Sequence, residues 1–183
     1  IVELLEVIEL HFINKETGNL RLFFDENWKE KPDVISYGHD IEAAWLLLHC
    51  AEISEDKNLI ENYKKYAIQI ADVTKKGIDT DGGLWYEYNP ETKTLMAEKQ
   101  WWPQAELMIG YVNAWQLSGK QEYLDIVLKN WDFTKNHIID KENGEWFWGI
   151  NKDNSLIEKD KAGFWKCPYH NSRACIELIN RIK

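Results

Sequence analysis

The stretch Gly38-His39-Asp40-Ile41-Glu42-Ala43-Ala44-Trp45 combines the pattern of a helix start with side chains that can transfer protons. Apolar residues follow at helical spacing, and Asp40 has the chemistry of an N-cap. His39 and Glu42 are three residues apart, so a helix places both on one side of its N-terminus. The dipole there favours neutral imidazole, which accepts a proton near pH 7. Taken alone, the stretch favours a loop histidine followed by an ordinary first-turn acid, so a catalytic interpretation depends on the rest of the chain.

Length and charge limit the class of protein. The 183 residues suffice for one domain with a sizeable core, and the formal net charge is −9. Without a run of Lys or Arg, nucleic acid and anionic membranes are poor partners. The sequence shows neither an apolar run of transmembrane length nor a signal peptide. Three cysteines, an odd number without Cys-x-x-Cys spacing, are typical of reduced thiols and predict a cytoplasmic protein.

The chain opens inside a helical pattern, with Ile1 and not Met as its first residue. We therefore expect residues 1–183 to be a fragment of a longer protein, forming a single partial domain. Ten tryptophans are unusual for this length, and aromatic faces stack on the C–H faces of sugars as well as filling cores.

Periodicity and breakers predict six helices, at about 1–13, 39–54, 58–77, 103–117, 121–137 and 169–182. A short strand is expected at 20–24, and a strand pair at 84–88 and 94–98. On the last helix the predicted apolar side carries Ser172, Cys175, Ile176 and Ile179.

Three turns recur at a spacing of roughly 60–65 residues, which fits one helical hairpin with its loops. They are Asn14-Lys15-Glu16-Thr17-Gly18, Asp79-Thr80-Asp81-Gly82-Gly83 and Asp140-Lys141-Glu142-Asn143-Gly144. Hairpin units of this kind stack side by side, either as an open solenoid or as a closed ring. The long Trp-rich loops all precede the inner helices, which favours the ring. We therefore predict an all-α protein, about half of an (α/α)6 barrel, with short β-hairpins in its loops.

The starts of three predicted inner helices share a chemistry suited to proton transfer beside a carbonyl. They are Gly38-His39-Asp40-Ile41-Glu42-Ala43, Trp101-Trp102-Pro103-Gln104-Ala105-Glu106 and Trp165-Lys166-Cys167-Pro168-Tyr169-His170-Asn171, the last followed by Ser172 and Arg173. In a ring these starts face one cavity, where two imidazoles can exchange the roles of base and acid. His39, Glu42 and His170 could alternatively bind a metal, but no His-x-x-x-His spacing supports this, and no phosphate-binding loop is present.

These three motifs, in this order and separation, resemble the N-acylglucosamine 2-epimerase superfamily over essentially the whole chain. Tyr169-His170-Asn171 is most similar to its disaccharide epimerases. The resemblance implies His39 and His170 as an acid/base pair, and Glu42 as the residue that orients or tunes His39. It also implies substrate binding by Trp102, Trp165, Glu106 and Arg173. No metal and no nucleotide cofactor are implied.

The expected activity is therefore epimerisation at C2 of the reducing-end glucose of a β-1,4-linked disaccharide such as cellobiose, giving mannose through a ring-opened enediolate. Expected partners are the disaccharide and the missing N-terminal half of the same barrel. Alternatives are an acylglucosamine epimerase, an aldose–ketose isomerase, or a glycoside hydrolase on the same ring that uses Asp40 or Glu106. A sugar-binding repeat without catalysis is a further alternative.

Overall fold

A computed structural model of the chain describes residues 1–31 and 34–182. Within these residues the chain forms six α-helices: α1 (Val2–Val7), α2 (Tyr37–Ile53), α3 (Lys57–Thr74), α4 (Trp101–Ser118), α5 (Gln121–His137) and α6 (Tyr169–Arg181). A π-helical turn (Ile8–Phe12) extends α1, and a 3-10 turn (Lys75–Gly77) extends α3. The predicted all-α class and the number of helices are confirmed.

In the part of the chain that the structure describes, five short strands lie in the loops between the helices. Strands β1 (Ile35–Ser36), β2 (Glu87–Asn89) and β3 (Thr94–Met96) form an antiparallel sheet in that order. Strand β4 (Lys99–Gln100) pairs with β5 (Gly149–Ile150), far along the chain. The predicted strand pair is confirmed with different bounds, because β2 begins at Glu87 and ends at Asn89 and β3 ends at Met96. The predicted strand at 20–24 is wrong, because Leu20 bridges Ile13 whereas Phe24 bridges Glu30, so the segment has no common partner strand.

The three repeated turns have the same local structure. Each follows an isoleucine that forms a β-bridge with the residue leaving the turn, in the pairs Ile13–Leu20, Ile78–Leu84 and Ile139–Trp146. Each also contains a glycine at positive φ: Gly18, Gly82 and Gly144. A left-handed residue reverses the chain tightly, and glycine adopts that conformation without a steric penalty. The repeat predicted from sequence is thus present in the backbone.

Helix α4 is the centre of the molecule, because it packs against α2 and α6 on the inner layer and against α3 and α5 on the outer layer. Every residue from Trp101 to Ala114 is buried. Gly110 lets α2 approach closely, since a Cβ there would lie 2.5 Å from Cγ1 of Ile41. Gly119 ends the helix in the left-handed conformation, as the predicted break requires.

The two ends of the described chain carry exposed apolar side chains. Ile176 and Ile179 on α6 are 58% and 66% exposed, and Leu4 and Leu10 are exposed at the other end. Ser172, Cys175, Ile176 and Ile179, which the sequence places on the apolar side of α6, are all exposed in this structure. The buried residues of α6 are Asn171 and Ala174, which face the loops and α4.

No described helix combines the length and the apolar composition needed to span a bilayer.

Candidate active site

The inner helices α2, α4 and α6 meet their loops in the same way. Near its start, each helix carries a buried polar side chain that hydrogen-bonds a residue of the preceding turn. The pairs are Asp40 with the Leu20 amide, Gln104 with the Leu84 amide and Asn171 with Glu145, at 2.8, 2.8 and 2.9 Å. These bonds fix the same register for all three helix starts.

Asp40 is therefore not the N-cap that the sequence predicted. Helix α2 begins at Tyr37, so Asp40 lies within its first turn. Its carboxylate accepts hydrogen bonds from the Leu20 amide and, at 2.7 Å, from Nδ2 of Asn19. The side chain stabilises the contact between helix and turn, where burial makes a lost partner costly, at about 1–3 kcal/mol.

The shared register places chemically active residues at equivalent positions. One residue before each anchor come His39, Pro103 and His170, and two residues after it come Glu42, Glu106 and Arg173. A cleft of about 410 Å³ opens at these helix starts. Its lining residues are His39, Glu42, Tyr86, Gln100, Trp101, Trp102, Trp148, Trp165 and His170. The structure thus brings both predicted histidines into one hollow lined by indoles.

Trp102 connects the two histidines. Its ring centroid lies 4.8 Å from that of His39 and 5.6 Å from that of His170, with both imidazoles tilted against it. Tyr86 contacts the indole edge-on at 6.3 Å. Gly38 supports it from behind, since a Cβ at that position would lie 2.5 Å from Cη2 of the indole. Trp102 therefore contacts both candidate proton-transfer groups and is closely packed against Gly38.

His170 is held by a buried carboxylate. Its Nδ1 atom lies 2.6 Å from Oε1 of Glu106, and the other oxygen of Glu106 accepts a hydrogen bond from Nε1 of Trp45 at 3.0 Å. Because a carboxylate oxygen accepts, Nδ1 of His170 carries the proton, which leaves Nε2 as the basic nitrogen. This is the protonation pattern of a general base with an orienting acid.

His39 has a different partner. Its Nδ1 atom lies 2.8 Å from Oγ of Ser36, the residue immediately before α2. A hydroxyl can donate or accept, so either tautomer of His39 is compatible with this bond. The two imidazoles therefore face the same cleft but hydrogen-bond to different groups. His39 contacts a neutral hydroxyl, and His170 contacts a carboxylate.

Glu42, expected to orient His39, directs its Oε1 atom at α6. That atom lies 2.8 Å from Nη2 of Arg173 and 4.0 Å from Nδ1 of His170. Burial and the neighbouring carboxylate of Glu106 raise the pKa of Glu42, and Arg173 offsets part of this effect. Glu42 is thus a cleft-lining acid whose neutral form is favoured to higher pH than usual.

Glu106 and Arg173, expected to bind substrate, lie behind the cleft lining. Glu106 is fully buried and its oxygens are engaged by His170, Arg173 and Trp45. Burial lowers the pKa of Arg173, but its hydrogen bonds to Glu106 and Glu42 outweigh this and raise the pKa overall. The oxygens and ring nitrogen of Glu42, Glu106 and His170 lie within 4.8 Å of one another, as metal ligands could, but the guanidinium of Arg173 already supplies the cation there.

Trp165 lies at the outer edge of the cleft and is 80% exposed. The next residue, Lys166, has a fully buried side chain whose ammonium group pairs with Glu145 at 3.0 Å. It also donates to the Lys161 carbonyl at 2.8 Å. The loop is therefore tethered directly beside an indole that has a free face for a ligand.

Sequence reasoning missed three lining residues: Tyr86, Gln100 and Trp148. The repeat contained a signal for two of them. Tyr86 lies two residues after Leu84, and Trp148 lies two residues after Trp146, the equivalent position. The pairing of β4 with β5 then brings Trp148 to Trp101, at 4.7 Å between ring centroids.

Comparison with known proteins finds relatives over nearly the whole chain. The sequence model of the N-acylglucosamine 2-epimerase family matches residues 1–174. The chain is 45% identical to a cellobiose 2-epimerase of Bacteroides fragilis over 91% of its length, and 33% identical to one of Dictyoglomus turgidum over 100%. The solved structure of cellobiose 2-epimerase from Bacillus thermoamylovorans superposes with a TM-score of 0.91, at 34% identity over 99% of the chain.

The chain spans 43% and 46% of the two relatives and 46% of the solved chain. Its helices match about half of an (α/α)6 barrel, as the sequence predicted. The match of the family model and the superposition over nearly the whole chain settle the affiliation: the chain belongs to the N-acylglucosamine 2-epimerase family.

Proposed function

We propose that this chain provides the acid/base half of a sugar 2-epimerase that acts on the reducing-end glucose of a β-1,4-linked disaccharide such as cellobiose. The observation that carries the proposal is that His39 and His170 line one cleft and that both imidazoles contact Trp102. The similarity to two cellobiose 2-epimerases supports the choice of substrate.

The reaction begins with the open-chain aldehyde of the sugar. One histidine takes the proton from C2, and the electron pair of the C–H bond moves toward the carbonyl to give an enediolate. The other histidine returns a proton to C2 on the opposite face, and the enediolate collapses to the aldehyde of the mannose epimer. The two histidines exchange roles when the reaction runs in reverse, so each needs one protonatable nitrogen in the cleft.

Support for the individual roles comes from their contacts. Glu106 stabilises the imidazolium that forms when His170 accepts a proton. Glu42 lines the cleft, and burial together with Glu106 raises its pKa, so its carboxyl group takes up a proton at higher pH than an ordinary glutamate does. Trp165 offers an exposed indole face on which the second sugar ring can stack.

A hydrolase using Asp40 or Glu106 is disfavoured by the geometry. Both carboxylates are buried, and their oxygens are engaged by protein donors: Asn19 and the Leu20 amide for Asp40, and Trp45 and Arg173 for Glu106. Glycoside hydrolysis requires two carboxyl groups that flank the scissile bond.

We also propose that the rest of the barrel covers the exposed apolar flanks on α1 and α6. The support is the chain's 43% and 46% coverage of its relatives, together with the exposed leucines and isoleucines at its two ends. The remaining half would complete the ring of inner helices around the substrate.

Incubation with cellobiose in heavy water tests the proposed reaction, using the protein expressed from the complete reading frame that encodes the chain. We expect the mannose epimer with one deuterium at C2. Released monosaccharide would identify a hydrolase, a ketose product would identify an isomerase, and an epimer without deuterium would exclude proton exchange at C2. His39→Ala and His170→Ala should each abolish turnover. His49→Ala, a change at an exposed position of α2, should not.

A further inference from the structure

Arg173 links the three inner helices at their equivalent positions. The two hydrogens of its Nη2 atom serve two carboxylates, Oε1 of Glu42 at 2.8 Å and Oε1 of Glu106 at 2.6 Å. One guanidinium on α6 thus joins an acid on α2 and an acid on α4. A planar guanidinium that makes several hydrogen bonds is held in one orientation, whereas a flexible ammonium group is not.

The guanidinium is itself fixed by aromatic rings. Its carbon lies 4.4 Å from the ring centroid of Tyr169 and 4.9 Å from that of Trp45, and Nη1 donates to the hydroxyl of Tyr169. Trp45 in turn donates to Glu106, so the rings that hold the cation also hold its carboxylate partner. These contacts close a ring of interactions that holds both carboxylate oxygens of Glu106.

The same oxygen of Glu106 that accepts from Arg173 also accepts from Nδ1 of His170. The described charged or titratable side chains in contact with His170 are Glu42 from α2, Glu106 from α4 and Tyr169 from its own helix. Without the cation, two uncompensated carboxylates would face the imidazole. They would favour the imidazolium form, which has no lone pair at Nε2.

We propose that Arg173 is a positioning residue for His170 and does not bind substrate. Its guanidinium compensates Glu42 and Glu106 and aligns Oε1 of Glu106, so that His170 stays neutral, with its proton on Nδ1 and its basic Nε2 atom available to the cleft. The kinetic test of this idea rests on the proposed epimerase function, whereas the spectroscopic test does not.

The spectroscopic test is nitrogen NMR of the protein from the complete reading frame, labelled with ¹⁵N-histidine at neutral pH. The His170 signals are identified by their loss in His170→Asn. We expect a neutral ring protonated on Nδ1 in the parent protein and imidazolium signals in Arg173→Met. Arg173→Lys, which keeps a cation able to reach both acids, should retain the neutral ring. Arg181→Met is the matched control, because Arg181 also stacks on Trp45 but pairs with Glu177.

Several results would overturn the proposal: an imidazolium in the parent protein, an unchanged ring in Arg173→Met, or the same change in Arg181→Met. If Arg173→Met does not fold, Arg173→Lys is measured in its place. A folded Arg173→Lys protein in which His170 is an imidazolium would show that a cation at this position does not keep His170 neutral.

In kinetics we expect Arg173→Met to lower kcat roughly 100-fold with KM changed less than about 3-fold. A raised KM at unchanged kcat would make Arg173 a substrate ligand. Absence of turnover in every protein would reject the epimerase function alone.

Discussion

The Nδ1 atom of His170 lies 2.6 Å from Oε1 of Glu106, although 64 positions separate the two residues in the chain. The carboxylate is fully buried, and solvent therefore does not screen its interaction with an imidazolium. Replacing Glu106 by glutamine keeps the size of the side chain and removes its charge. We expect Glu106→Gln to lower kcat for C2 epimerisation roughly 100-fold, because the protonated base loses its stabilising partner.

Thermal unfolding followed by circular dichroism is the control for Glu106→Gln, since a buried amide can also disturb packing. Glu122→Gln, at an exposed acid on α5 that pairs with Lys75, should leave both kcat and the unfolding temperature unchanged. Full activity of a folded Glu106→Gln protein would show that the charge of Glu106 has no part in proton transfer.

Gly38 and Trp102 are packed so closely that no side chain fits between them. A Cβ at residue 38 would lie 2.5 and 2.6 Å from two atoms of the indole and 3.1 Å from Cβ of Pro103. Gly38→Ala should therefore displace Trp102 from its contacts with the two histidines and destabilise the fold by about 1–3 kcal/mol. Chemical denaturation and epimerase assays measure the two effects.

Gly163→Ala is the matched control for Gly38→Ala, because its added Cβ would meet only Asp160, at 3.7 Å or more. We expect it to retain the parent stability and activity. A Gly38→Ala protein as stable and active as the parent would mean that the indole can move without consequence for stability or for the histidines that contact it.

The helix starts could be predicted from the sequence because their information is local. Apolar spacing and the repeated turns each lie within one unit, and α5 matches its predicted range of 121–137. The resemblance to a family added the pairing of His39 with His170. Neither signal required knowledge of which loops pair.

The features that the sequence did not reveal depend on distant partners. Trp148 reaches the cleft because β5 pairs with β4, about fifty residues earlier, and no local pattern encodes that pairing. Asp is a residue type that N-caps favour, but the carboxylate of Asp40 accepts hydrogen bonds from Asn19 and Leu20 at the end of the first turn. Glu42 and Arg173 meet only when α2 and α6 are placed beside α4.

Trp165 allows a test of disaccharide recognition that is separate from catalysis. Its indole is 80% exposed and lines the cleft, whereas the adjacent Phe164 is 92% exposed and is not among the lining residues. Trp165→Ala should raise KM for cellobiose by roughly 10-fold through lost stacking, with little change in stability. Phe164→Ala should change neither quantity. Equal effects of the two substitutions would assign the loss to the loop and not to stacking.

The exposed isoleucines of α6 predict the behaviour of the chain by itself. Half of a ring with unpaired apolar flanks should self-associate, because contiguous exposed apolar surface drives association. In light scattering of residues 1–183, we expect concentration-dependent oligomers that Ile176→Ser/Ile179→Ser reduces. The double substitution Lys152→Ser/Lys159→Ser, at exposed loop positions, controls for surface change in general. A monodisperse monomer of the parent chain would contradict this expectation.

Glu42 gives the stability of the fold a defined pH dependence. Burial and Glu106 raise the pKa of Glu42 above its ordinary value of 4.5. The folded state therefore binds this proton more tightly than the unfolded state does, so the contribution of Glu42 to stability is fully present below pH 4.5 and is lost as pH rises through the folded-state pKa. Glu42→Gln removes this titration, and the free energy of unfolding of the variant relative to the parent should increase as pH rises above 4.5.

Glu61→Gln should change the pH dependence of the free energy of unfolding in the opposite direction. Lys64 lowers the pKa of Glu61, so its contribution is present above pH 4.5 and is lost as pH falls. Urea unfolding at a series of pH values should thus show the stabilities of variant and parent diverging above pH 4.5 for Glu42→Gln and converging below pH 4.5 for Glu61→Gln. A flat difference curve for Glu42→Gln would mean that Arg173 cancels the effects of burial and of Glu106, because only an unshifted pKa removes the linkage between protonation and folding.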